Sequence, residues 1–426
     1  KAQIISLGWS AEMKIPLSQL RFSNAKEQVW GLNVVRNLFR ENELSAWDRI
    51  PVGSAGWVSE AGELRGLKNI KPQGQIEVQP FLAVQQETYE AEVGNPYRNG
   101  RDSRINGGLD AKIGITNDLT LDLTVNPDFG QVEADPAAIA LDGFEIFNKE
   151  QRPFFVENKN IFDYRYAGNR DNLFFSRRIG RSPQVYPQTP DNSYSNRPQN
   201  TTILGAAKFS GKTKKGWSIG ILESMTSREF SEINTNGVIS ESLVEPFTNY
   251  FVGRVQKDMN KRNTFLGGIF TATNRSINEL TSELRTAAYT GGLDFRHQWN
   301  DRTYYFQTNV VMSHVKGSPE SILATQQSLT HLFDRVDATH VQLDPTRTSL
   351  TGTGGLVEIG KDGGQNWNYD MGFKWSSPEL ELNDIGFLKR ADQKFQFFNL
   401  KYRTAKPISV FRNINLDFSQ FNAFDF

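Results

Sequence analysis

Between residues 126 and 178 the carboxylates Asp128, Glu133, Asp135, Glu145, Glu150 and Glu157 stand close in sequence to Arg152, Lys159, Arg177 and Arg178. Two carboxyl groups flanking a glycosidic bond can hydrolyse it, one as acid and the other as base or nucleophile. The same residue types can instead form an ion-pair network that pins a loop inside a polar channel. Nothing in the spacing singles out one pair of acids, which favours the network. Its members are Asp128, Glu133, Asp135, Glu145, Arg152, Glu157, Arg177 and Arg178. A membrane-anchored hydrolase acting on carbohydrate is the alternative.

Other chemistries leave weaker traces. The four histidines, His297, His314, His331 and His340, show no HExxH spacing. His331 and His340 share a stretch with Asp334, Asp337 and Asp344, but solvated loop side chains are far commoner than a metal cluster, and no metal site is expected. The absence of cysteine excludes thiol nucleophiles, cysteine zinc sites and disulfides. No GxSxG elbow occurs. Gly205–Thr213 imitates a phosphate loop but has one residue too many between its glycines, so no cofactor is expected. Trp9, Trp30, Trp47 and Trp57 crowd the first 70 residues. They read as the core of a β-sandwich, with Trp9, Trp30 and Trp57 as candidates for stacking on a sugar ring.

The elements that must position these residues are strands. From residue 75 onward apolar and polar residues alternate with period two. Leu119, Leu121, Leu123 and Val125 oppose Thr120, Asp122 and Thr124. Tyr289, Leu293, Phe295 and Trp299 oppose Asp294, Arg296 and Gln298, and Trp367, Tyr369, Met371, Phe373 and Trp375 oppose Asn368, Asp370 and Lys374. About 13 strands follow from this count. Short turns (117–118, 211–216, 258–263, 300–302, 361–366 and 404–407) alternate strictly with long connections (88–103, 126–200, 227–246, 274–286, 316–348 and 377–394). A soluble sandwich has no reason to sort its connections in this way, whereas an outer-membrane barrel does. Trp217, Trp299, Tyr304 and Trp367 flank the short turns, as an interfacial aromatic girdle does.

The expectation is an all-β protein, an antiparallel transmembrane β-barrel of about 14 or more strands when complete. Residues 1–70 are read as the end of a small β-sandwich, residues 71–426 as the barrel, and residues 126–200 as an inserted plug-like loop. Phe144, Phe147, Phe154, Phe155 and Phe162 are expected to give that loop a core of its own. The chain opens in strand-like sequence and ends in a similar way, so at least one more strand is expected past Phe426. No run of 18 apolar residues is present, so no transmembrane helix is expected. With 48 basic and 48 acidic residues, no global field favours nucleic acid.

Residues 126–136, NPDFGQVEADP, followed by FEIF at 144–147 and RPFFVE at 152–157, strongly resemble a bacterial family common in Bacteroidetes. Its members join a domain similar to the family 9 carbohydrate-binding module to a C-terminal domain of unknown function. Two further stretches carry the resemblance, LDPTRTSL at 343–350 and SPELELNDIGFLKRAD at 377–392. Residues 9–16 and 30–36 look like the last strands of the module. The resemblance implies a barrel in the Gram-negative outer membrane with the module on the periplasmic side. The partners are then outer-membrane lipid, glycan and other envelope proteins, and the function is glycan-linked transport or a subunit's part in an envelope assembly.

Overall fold

The computed structural model describes residues 1–6, 8–17, 20, 22, 25–48, 50, 58–70, 76–127, 141, 143–164, 166, 171–364, 366–404 and 406–426. Six short strands open the chain: β1 (Ala2–Ile5), β2 (Gly8–Ala11), β3 (Glu27–Leu32), β4 (Val35–Leu38), β5 (Glu43–Ala46) and β6 (Gly62–Lys68). They pair antiparallel as β1 with β2, β3 with β6 and β4 with β5. Trp30 packs on buried Phe22 with ring centroids 5.4 Å apart.

The remaining strands are β7 (Ile76–Thr88), β8 (Arg101–Gly114), β9 (Leu119–Val125), β10 (Ser193–Asn196), β11 (Ile203–Lys212), β12 (Trp217–Thr226), β13 (Glu229–Thr235) and β14 (Val238–Glu245). They continue as β15 (Thr248–Met259), β16 (Thr264–Arg275), β17 (Ala287–Trp299), β18 (Tyr304–Lys316), β19 (Ser349–Lys361), β20 (Trp367–Ser376), β21 (Gln393–Arg403) and β22 (Asn415–Phe424). Thirteen of them form one antiparallel sheet running β7-β8-β9-β11-β12-β15-β16-β17-β18-β19-β20-β21-β22. Each strand pairs with the next along the chain, apart from the small β10-β13-β14 sheet set beside it. Among the described residues no ladder joins β7 to β22, so the sheet keeps two edges.

The alternation read from the sequence sorts residues onto two faces, and the polar face is the covered one. In β9, Thr120, Asp122 and Thr124 are buried. In β12, Ser218, Leu222, Ser224 and Thr226 are buried, while Trp217, Ile221 and Met225 are exposed. The opposite face carries Leu82, Leu266, Phe270, Leu293, Met312 and Phe373 to the surface. A soluble sheet does the reverse.

The connections sort by length mostly as expected, with three differences. The 227–247 connection holds the β13–β14 hairpin, which turns on Asn236 and Gly237, both at positive φ. This Asn-Gly pair suits a two-residue turn whose twist matches the strands. The 317–348 connection holds α-helix Pro319–Gln327, started by Ser318, whose Oγ accepts from the Ser321 amide at 3.1 Å. The turn expected at 404–407 is longer, since β22 begins only at Asn415.

Candidate functional site

The polar face is covered by the central segment, and that contact is the candidate site. Two single-turn helices, Pro153–Val156 and Lys159–Phe162, give the segment its shape. Lys112 of β8 pairs with Glu157 at 2.5 Å, and Asn158 donates to Ser210 of β11 at 2.9 Å. Lys208 of β11 donates to the Phe154 and Glu157 carbonyls and lies 3.4 Å from Asp122 of β9. Tyr164 donates to the Leu293 and Val310 carbonyls of β17 and β18, beneath an Arg254–Asp294 pair with bonds of 2.6 and 2.8 Å. Tyr166 reaches Ser376 of β20 at 2.9 Å.

Residues 157–166 thus touch β8, β11, β15, β17, β18 and β20 on one face of the sheet.

Three glycines make room on its inner face. A Cβ on Gly220 would lie 2.8 Å from the Phe162 ring, and one on Gly292 would lie 2.7 Å from the Tyr164 ring. A Cβ on Gly354 would meet Leu380 at 2.8 Å and Tyr166 at 3.0 Å.

A second segment, 377–392, clamps the first from above. Asn172 and Phe387 exchange backbone hydrogen bonds of 2.9 and 2.8 Å, and the Phe175 amide donates to the Ile385 carbonyl at 2.8 Å. Phe147, Phe175 and Phe387 pack as a trio with centroids 4.8 to 5.6 Å apart. Phe155 and Phe162 share one core with Ile203, Leu222, Val252, Leu380 and Ile385. The phenylalanines thus do not form a separate loop core. They join segment, sheet and clamp.

The candidate ionic residues are held in pairs. Arg152 donates to both Glu150 oxygens at 2.8 and 2.7 Å, and to the Ser176 and Ile179 carbonyls at 2.7 Å each. Burial by itself would raise the Glu150 carboxyl, but Arg152 and Ser176 hold it below its ordinary value. Arg178 forks onto Glu145 at 2.8 and 2.6 Å and also donates to Gly386 O and Asn383 Oδ1. Arg177, half-buried, sits in the same turn. Asp128, Glu133, Asp135 and Trp57 lie outside the described residues. Trp9 is 60% exposed, and Trp30 is engaged with Phe22.

Beside the clamp lies an ionic cluster that sequence reasoning missed. Asp384 accepts from Arg275 at 2.7 Å and from Arg285 at 2.8 Å, while Glu381 lies 3.1 Å from His331 and 3.5 Å from Arg285. Burial pushes both carboxyls up, but the arginines outweigh it. Glu381 falls to about 2 and Asp384 lies well below its ordinary range. Burial and the adjacent Arg178 lower Arg181 to about 10. The only trace of this cluster in the sequence is that Arg275, like Arg254 and Asp294, occupies a polar phase of its strand. His340 pairs instead with Asp392 at 2.9 Å, so the two loop histidines are held on different partners. Among the described residues no three of His, Asp and Glu gather as metal ligands.

One large antiparallel sheet, with an internal segment packed on its polar face, places the chain among all-β proteins. Residues 75–425 match a domain of unknown function, DUF5916. That match covers most of the chain, which belongs to this family. No curated protein matches it.

Proposed function

We propose that the chain is a β-barrel of the Gram-negative outer membrane, of the Bacteroidetes type, whose large sheet closes round residues 126–200 as a plug. Its function is glycan-linked transport, alone or as a subunit of an envelope assembly. Residues 1–70 are then the end of a periplasmic module similar to carbohydrate-binding module family 9.

The observation that carries this reading is the inverted polarity of the sheet. Apolar side chains stand exposed on strand after strand, from Leu82 (74%) and Val84 (72%) to Leu293 (68%) and Phe418 (56%). Soluble proteins rarely leave so extensive an apolar face bare, whereas a lipid-facing barrel wall needs one. Trp299 stacks on Tyr304 at 5.8 Å and Trp367 packs on Tyr402 at 4.6 Å, at the end where the connections are short.

Single-channel conductance in a planar bilayer tests the proposal, with the intact chain compared with a variant lacking 126–178. Migration on a gel before and after heating confirms that each preparation is folded. A large steady pore on deletion is the expected result. An intact chain that neither inserts nor shifts its migration on heating overturns the membrane reading. A deletion variant that inserts but stays closed overturns the plug.

A further inference from the structure

Where the segment leaves the polar face uncovered, a cavity of about 1230 Å³ opens between β7 and β8 on one side and β10, β13 and residues 197–202 on the other. We infer that this cavity binds a neutral oligosaccharide through carboxamide side chains and the Phe230 ring. The inference deepens the transport reading and rests on it for its biological sense, though not for its geometry.

The volume exceeds the 300–1,000 Å³ of ordinary small-molecule sites, so it admits a chain of several units. Its wall carries seven amides, Gln85, Gln86, Asn106, Asn126, Asn196, Gln199 and Asn200, beside apolar Leu82, Val84 and Ile105. Asn126 donates to Asn106 at 2.6 Å, but the side chains of Gln85, Asn196, Gln199 and Asn200 make no hydrogen bond among the described residues. A carboxamide both donates and accepts, which is what a sugar hydroxyl also does. Phe230, 46% exposed, offers an apolar face for a ring to lie on. The Tyr97 hydroxyl, buried in the same wall, has no hydrogen-bond partner among the described residues. Such a group calls for a ligand or water.

The charges at the wall are largely engaged. Asp102 and Arg104 pair at 2.7 Å, Glu229 accepts from the Thr202 amide at 2.7 Å, and Arg197 donates to the Pro183 carbonyl and stacks on Tyr186. Glu232 remains, and an uncompensated carboxylate disfavours an anionic ligand. Seven amides with few free charges thus select a neutral, hydroxyl-rich molecule.

The test is calorimetric titration of the detergent-solubilised intact chain with maltohexaose, cellohexaose, mannohexaose and chitohexaose, beside hexagalacturonate and a capped Gly/Ser hexapeptide. Saturable binding of a neutral hexasaccharide is expected, weakened at least tenfold by Phe230→Ala and by Asn196→Leu and reduced by Tyr97→Phe, with unchanged thermal midpoints. Four results overturn the inference: no binding of any neutral sugar, binding only of the peptide or the acidic sugar, binding that survives all three variants, or binding abolished by Trp9→Ala instead. Heat-dependent migration of the same preparations reports on the membrane reading separately, so either can fail while the other stands.

Discussion

At the scale of single residues, Arg152 does most to hold the central segment in its fold. Its planar guanidinium reaches a carboxylate and two backbone carbonyls at once, a fork that an ammonium point charge cannot reproduce. Arg152→Lys is therefore expected to destabilise, and Arg152→Ala to cost about 3–5 kcal/mol by leaving buried Glu150 without its cation. Urea unfolding, with limited proteolysis of residues 141–180, measures both. The clamp carries a pH dependence of definite sign. Glu381 and Asp384 bind their protons less tightly when folded, so their contribution is complete above the ordinary carboxylate range, near 4.5 for Glu381, and falls away as pH drops toward about 2. Protection of the 377–392 amides, taken relative to their intrinsic exchange rate at each pH, should fall through that window, and unchanged protection there would show that the arginines do not hold the clamp. Glu145, Arg152 and Arg178 were legible as charged candidates because they crowd one stretch of sequence. The pairings were not: Arg178 bonds to Glu145, 33 residues away, and to Gly386, 208 residues away.

At the scale of elements, strands such as β9, β11 and β12 were legible because one face of each is covered, and covering one face forces a period of two. β9 runs from Leu119 to Val125 as its alternation implies. The β13–β14 hairpin was hidden inside a long connection, although Asn236-Gly237 between alternating runs is a strong local hairpin signal. The helix Pro319–Gln327 was missed because its apolar stripe is weak and its capping Ser318 precedes a proline-led turn. The glycines on the polar phase were the least conspicuous clue of all. In sequence they read as breaks in a strand, yet Gly220, Gly292 and Gly354 are where Phe162, Tyr164 and Tyr166 seat. Gly292→Leu should therefore displace the Tyr164 ring and loosen the segment while leaving the β17 ladder intact. Protease cleavage within 141–180 should rise several-fold with little change in strand content by circular dichroism. Gly291→Leu is the control, since a Cβ there meets nothing within 4 Å.

At the scale of the whole molecule, the question is which solvent the apolar face meets, and one substitution separates the answers. Leu293 sits near the middle of β17, 68% exposed, with Gly268 and Val310 as its cross-strand neighbours. In water an exposed leucine exchanged for arginine changes stability by about 0.5 kcal/mol at most. In the proposed barrel the same position lies far from both rims, where an arginine facing lipid costs about 2–4 kcal/mol. Leu293→Arg should therefore leave the chain unaffected in detergent-free denaturant curves only if the sheet is a soluble one. In vesicles it should lower the folded fraction and abolish heat-modifiable migration at denaturant concentrations the parent chain withstands. Val93→Arg, in the connection between β7 and β8 and almost wholly exposed, carries the same charge without that cost. Equal behaviour of the two variants in vesicles would mean that the apolar face does not meet lipid, and the polarity inversion of the sheet would then need a protein partner to cover it. A deficit confined to Leu293→Arg ties the inversion to the bilayer, and with it the reason the sequence spends its polar residues on the inside.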